Sequence, residues 1–139
     1  MSQPQAAPLA EAVEFEGRLF AYIIRAAAEP KKTSFVTQND ATMQAGFVVY
    51  PGGSQIPRHV HKPLERHIVG TPEALFLRKG ACRVDFYSED QRPLGSRELR
   101  QGDFLLLLGG GHGFAVHEDT IFLEVKQGPY TGTSEKVLF

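Results

Sequence analysis

One cysteine and no tryptophan occur in the 139 residues. The single thiol, Cys82, rules out an internal disulfide, and it stands in the alternating run Cys82-Arg83-Val84-Asp85-Phe86 instead of a redox motif. It reads as a core residue, because free cysteine is among the most buried residue types. Charge of one sign is not in excess either: Lys and Arg number 15, Asp and Glu 16, and the formal net charge is -1. With no positive field to gather phosphate backbones or anionic lipid, neither nucleic acid nor a membrane is an expected partner. Apolar runs of membrane-spanning length are missing too. The first nine residues carry Gln, Pro and Ala where a secretory leader would need a basic start and an apolar stretch, so the expected location is cytoplasmic.

What is present is ordinary for a globular chain, with 42% hydrophobic and 22% charged residues. A chain of this length buries a real core without staples. The expected organisation is an N-terminal segment, 1–15, partly flexible, followed by a single domain over 16–139. Short segments rich in β-branched and aromatic residues recur between clusters of Gly, Pro, Asn and Asp. They predict strands at 18–26, 33–37, 44–50, 55–61, 74–79, 82–87, 96–100, 104–108, 112–116 and 120–127, with one short helix somewhere in 6–15. So many strands with so little helix predict an all-β sandwich or closed barrel.

Alternation along Glu73-Ala74-Leu75-Phe76-Leu77-Arg78 puts Glu73 on the face of Leu75 and Leu77, and Arg78 on the other. If the leucines look inward, the carboxylate does as well, which is costly unless a positive group meets it. That strand supplies no Lys or Arg on the same face, and a metal ion would resolve the conflict. Further upstream, in Arg58-His59-Val60-His61, a strand would project both imidazoles from one face, where one ion takes both. Imidazole nitrogens with one carboxylate suit iron, manganese, nickel, cobalt or zinc. The other reading of such a pair is a surface feature of an edge strand.

Gly53 is followed after five residues by His59 and then His61, and Glu73 after six by Gly80. This resembles the first motif of the cupin family, G(x)5HxH(x)3-4E(x)6G. The second family motif, G(x)5PxG(x)2H(x)3N, has a counterpart in Gly102, Gly110 and His112. The resemblance runs from about Gly46 to Val125 and implies a double-stranded β-helix, or jelly-roll, cupin barrel. It also implies one divalent metal ion near a mouth, held by His59, His61, Glu73 and His112. Eleven residues separate His61 from Glu73 where the family has three or four, which makes Glu65 a rival ligand, although Pro72 stands where a glycine would then be required. Leu108 replaces the second-motif proline, His112 arrives one residue early, and the terminal Asn is missing.

The inserted segment 62–72 is expected to cover or border the metal mouth. Within it, Arg66 is a candidate to orient an anionic substrate, guanidinium binding carboxylate or phosphate in a bidentate way. The other reading is a salt bridge to Glu65 or to an acid on a neighbouring strand. His67 is a candidate proton carrier near neutral pH. Tyr50, Arg58 and Lys126 are weaker pocket candidates, and His117 reads as a solvated turn residue. The resemblance implies a metal-dependent enzyme of oxygenase or isomerase type acting on a small polar or anionic molecule. Two alternatives stand beside it: a non-catalytic metal or small-molecule binding module, and a barrel whose site is degenerate. The family also implies a homodimer, with 104–108 and 19–24 either at its interface or as inner strands.

Overall fold

In the computed structural model, which describes residues 8–139, Glu16 and Gly17 both take positive φ, 54° and 75°. That is the backbone of a two-residue turn matched to the twist of a hairpin, and it joins β1 (Glu11–Phe15) to β2 (Arg18–Ile24). The expected helix in 6–15 is therefore replaced by a strand over its described C-terminal part; residues 6 and 7 lie outside the described residues. Pairing with β2 overrides the helix propensity of Glu and Ala, because Val13 gains complete burial from it.

The remaining strands are β3 (Ser34–Phe35), β4 (Gly46–Phe47), β5 (Glu73–Lys79), β6 (Ala81–Tyr87), β7 (Pro93–Arg100), β8 (Phe104–Leu107), β9 (Gly111–Val116) and β10 (Ile121–Lys126). One 3-10 turn, Gly132–Glu135, follows them. All pairings are antiparallel. A five-stranded sheet has the order β1-β2-β8-β5-β10, a three-stranded sheet the order β7-β6-β9, and β3 pairs with β4 alone. From β5 onward the chain changes sheet at every connection except the β6–β7 hairpin.

Between the two larger sheets lies the core. Val13, Ala21, Ile23, Leu75, Leu77, Leu105 and Leu107 come from the five-stranded sheet, and Cys82, Val84, Phe86 and Leu99 from the other. Burying each of the larger side chains contributes roughly 1.5–3 kcal/mol. The architecture is thus an all-β sandwich, as the strand pattern predicts. Among the described residues the sheets do not close into a barrel, since β9 and β10 each end a sheet with one unpaired edge.

Two connections at one end of the sandwich are tied by backbone. Gly80, at φ 97°, makes the crossing from β5 to β6, and a Cβ there would collide with the Asp119 carbonyl. Asp103, 5% exposed, accepts from the Ala26 N–H at 2.9 Å, the Arg100 N–H at 2.8 Å and the Arg25 guanidinium at 3.1 Å. A carboxylate so nearly buried is tolerable because each of those bonds offsets its desolvation.

Residues 48–72 contain no strand, which corrects the expectation for 55–61. Pro51, Pro57, Pro63 and Pro72 punctuate this stretch, and each removes a ladder donor. The expected strands at 33–37 and 44–50 survive only as the two-residue β3 and β4.

Candidate functional site

β5 begins at Glu73, which is in register with Leu107 near the end of β8 and with Lys126 at the end of β10. In the facing sheet β9 begins at Gly111, and His112 is in register with Phe86. These strand ends meet at the end of the sandwich opposite Asp103. There the Glu73 Oε2 lies 3.3 Å from the His112 Nε2, across the gap between sheets, with the two side chains 19% and 29% exposed. Alternation accounts for the carboxylate: Leu75 and Leu77, on its face, are core residues, while Phe76 faces outward.

Beneath the pair, His112 meets Phe114 edge-on at 6.0 Å, and Phe114 packs on Phe122 at 5.1 Å. This aromatic floor packs against the core. The His112 imidazole beside it holds the Glu73 carboxyl below its ordinary range, against the opposing effect of burial, with help from Lys126. Glu73 is accordingly an ionised carboxylate through the neutral range. The cation absent from its own strand comes from a neighbour: in β10, Phe122, Glu124 and Lys126 alternate onto the inner face, and Lys126 stands opposite Glu73. Reading β5 alone misses this neighbour, although the alternation of β10 carries the signal.

An ionised, half-buried carboxylate beside an imidazole is a donor pair that a first-row divalent ion accepts, so Glu73 and His112 fit the expected metal. His59 and His61 are exposed and lie outside any strand. Their rings remain neighbours, 5.2 Å apart and edge to face. The His59 Nδ1 lies 2.9 Å from the Pro57 carbonyl, so in the neutral ring Nδ1 donates and Nε2 is left as an acceptor. Among the described residues no three His, Cys, Asp or Glu side chains are grouped to hold an ion. The four expected ligands are thus present as two pairs, one built between the sheets and one carried on an exposed segment.

Glu65, Arg66 and His67 are exposed on the segment 62–72. Arg66 makes no ion pair with a described residue. The last residue of the segment, Pro72, is buried and accepts the Gln127 N–H at 3.1 Å, which anchors this part at the mouth beside Glu73. His117 is half exposed and 2.8 Å from Glu98, and Cys82 is fully buried. The runs 104–107 and 19–24 form inner strands of the sheet.

A separate cavity of about 500 Å³ lies on the outer face of the five-stranded sheet, lined by Ile24, Phe35, Phe47, Phe76 and Phe104 among others. Its charged lining residue, Arg25, is already paired with Asp103 and with the Glu98 carbonyl. The chemistry-bearing groups are on the other face of β5. No helix among the described residues is long and apolar enough to cross a membrane. Comparison with known proteins finds no matching family model, curated protein or solved structure.

Proposed function

We propose that this chain is a jelly-roll protein of the cupin type that holds one divalent transition metal ion through His59, His61, Glu73 and His112 and acts on a small polar or anionic molecule. The observation that carries the reading is the Glu73–His112 contact at 3.3 Å. Two residues from separate sequence motifs, on separate sheets, meet as a polar pair at the mouth of an otherwise apolar core.

The strand order supports the finer fold. β8-β5-β10 faces β7-β6-β9, with one free edge on β9 and one on β10. Immediately before β5 runs a stretch without strand partners that leaves Val48, Ile56 and Val60 at 59%, 56% and 89% exposure. Pairing of 55–61 along the free edge of β9 would cover part of that surface and carry His59 and His61 toward His112. Pro57 is compatible with such a strand where its missing N–H faces outward.

An ion held there would supply Lewis-acid or redox chemistry with positions open to substrate or water. Around it, this chain's own groups would bind and orient: Arg66 an anionic group of the substrate, His67 a proton. The exposure of Arg66 and His67 favours a second reading, a binding module that holds metal or small molecule without transforming it. A homodimer belongs to the same proposal. Phe76 and Leu123, in register on β5 and β10 with Val125 beside them, are exposed on the outer face, where a second copy would bury apolar surface.

Elemental analysis of protein purified without a metal-affinity tag tests the central claim. Near-stoichiometric metal is expected in the wild type and lost in His59→Ala, His112→Ala and Glu73→Gln, but retained in Glu65→Gln. A wild type that stays metal-free after reconstitution with each of the five candidate ions overturns it.

A further inference from the structure

Beyond β10 the chain doubles back over the mouth. Lys126, the last residue of β10, points to the inner face, and its Nζ lies 3.2 Å from Glu135 Oε1 on the turn Gly132–Glu135. The other carboxylate oxygen of Glu135 accepts from the Thr131 hydroxyl at 2.9 Å. Thr131 and Lys126, in that order, hold the Glu135 carboxyl below its ordinary range. The side chain of Glu135 is only 16% exposed, less than the 31% of Lys126. Tyr130 places its ring 5.8 Å from the same ammonium. Further on, Phe139 stands edge-on to Tyr87 at 5.0 Å and lies against Gly111, the residue before His112. Residues 127–139 therefore cross from the five-stranded sheet to the facing sheet at the end where Glu73 meets His112.

A lysine at a mouth, met by a carboxylate that the chain itself folds back, is an anion site with an internal occupant. We propose that Lys126 recognises a carboxylate of the ligand, beside any anionic group that Arg66 would orient, and that Glu135 occupies the place of that carboxylate until a ligand displaces it and frees the strap 132–139. The inference rests on the mouth being the ligand site, as proposed above, but it does not require the metal. It narrows the ligand to small carboxylates, because the resident group is one: Lys126 supplies the charge and Thr131 a hydroxyl donor, a pair that suits two carboxylate oxygens.

Malonate titrated into metal-free protein, followed by amide NMR signals of Gly111, His112 and Gly132, tests this. Wild type should bind weakly. Glu135→Gln should bind about fivefold tighter, because removing an internal competitor worth an ordinary ion pair raises the competent fraction by that order. Lys126→Met should lose binding and Lys126→Arg retain it. Trypsin should cleave after Lys136 faster when malonate is present, since the strap is then released. Equal affinities in wild type and Glu135→Gln, or malonate binding that survives in Lys126→Met, overturns the proposal. Should the metal prove absent while the malonate series holds, only the metal reading falls; metal bound stoichiometrically with no response to Glu135→Gln removes only this inference.

Discussion

Replacing Asp103 by alanine separates the stability of the scaffold from the chemistry of its mouth. The carboxylate is nearly buried and accepts three hydrogen bonds, two from backbone N–H groups of Ala26 and Arg100 and one from Arg25. Alanine leaves both N–H groups without an acceptor, at about 1–3 kcal/mol each. The Arg25 side chain is 46% exposed, so water can take over its share and the guanidinium adds little. The sum is a loss of about 2–6 kcal/mol, or roughly 6–18 °C in Tm at about 3 °C per kcal/mol for a chain of this size. Asparagine keeps one neutral acceptor and should lose about half as much. Urea titration by circular dichroism gives the free energies, and an unchanged slope would show that the denatured state is not involved. Because Asp103 lies at the opposite end from Glu73, metal content measured well below the midpoint should match the wild type. A loss below about 1 kcal/mol in the alanine variant would refute the assignment of this carboxylate as the tie between β2, β7 and β8.

Two further outcomes follow from single contacts. Glu89 is paired with Arg18, which pulls its carboxyl from an ordinary 4.5 down to about 2. A depressed carboxylate stabilises the fold above its unfolded value and stops doing so as pH falls through the folded one, so the Tm gap between wild type and Glu89→Gln should be full at pH 6 and close between pH 4.5 and 2. Both groups are more than half exposed, so the gap should be small and shrink in high salt; a gap that widens on acidification contradicts the pairing. Cys82 is completely buried, and burial pushes its thiol up from 9.0. A disulfide reagent at neutral pH should leave it unmodified in the native protein and react with it at once in guanidinium. Modification within minutes under native conditions would show that β6 opens.

How much of this could be read beforehand depends on whether the determining contact is local. In β5 and β6, period-two alternation at Leu75, Leu77, Cys82, Val84 and Phe86 matches the buried face, because a strand between two neighbours with one face on the core has no other solution. Glu73 was legible for the same reason, and its inward position is seen. β1 was not: Glu11-Ala12-Val13-Glu14-Phe15 uses good helix formers, and only the turn chemistry at Glu16-Gly17, a two-residue link with both φ positive, reveals a hairpin. Lys126 was legible only as a weak pocket candidate, because its place opposite Glu73 is supplied by strand pairing far along the chain. The histidine pair illustrates the converse. Spacing keeps the rings of His59 and His61 adjacent, but whether their segment becomes a strand depends on an edge offered by β9, and Pro57 weakens the local preference.

The two-faced character of β5 also governs where this chain can change length. Glu73, Leu75 and Leu77 point inward, while Phe76 faces the cavity on the outer side of the sheet. Inserting or deleting a single residue after Glu73 would exchange the faces, turning Phe76 into the core and the leucines out to solvent. By contrast, a residue added to 62–71 only lengthens an exposed connection, whose closure entropy grows slowly with length. Descent with insertion and deletion is therefore free to vary the distance between the histidine pair and the carboxylate, and forbidden to vary the distance between the carboxylate and the glycine at position 80.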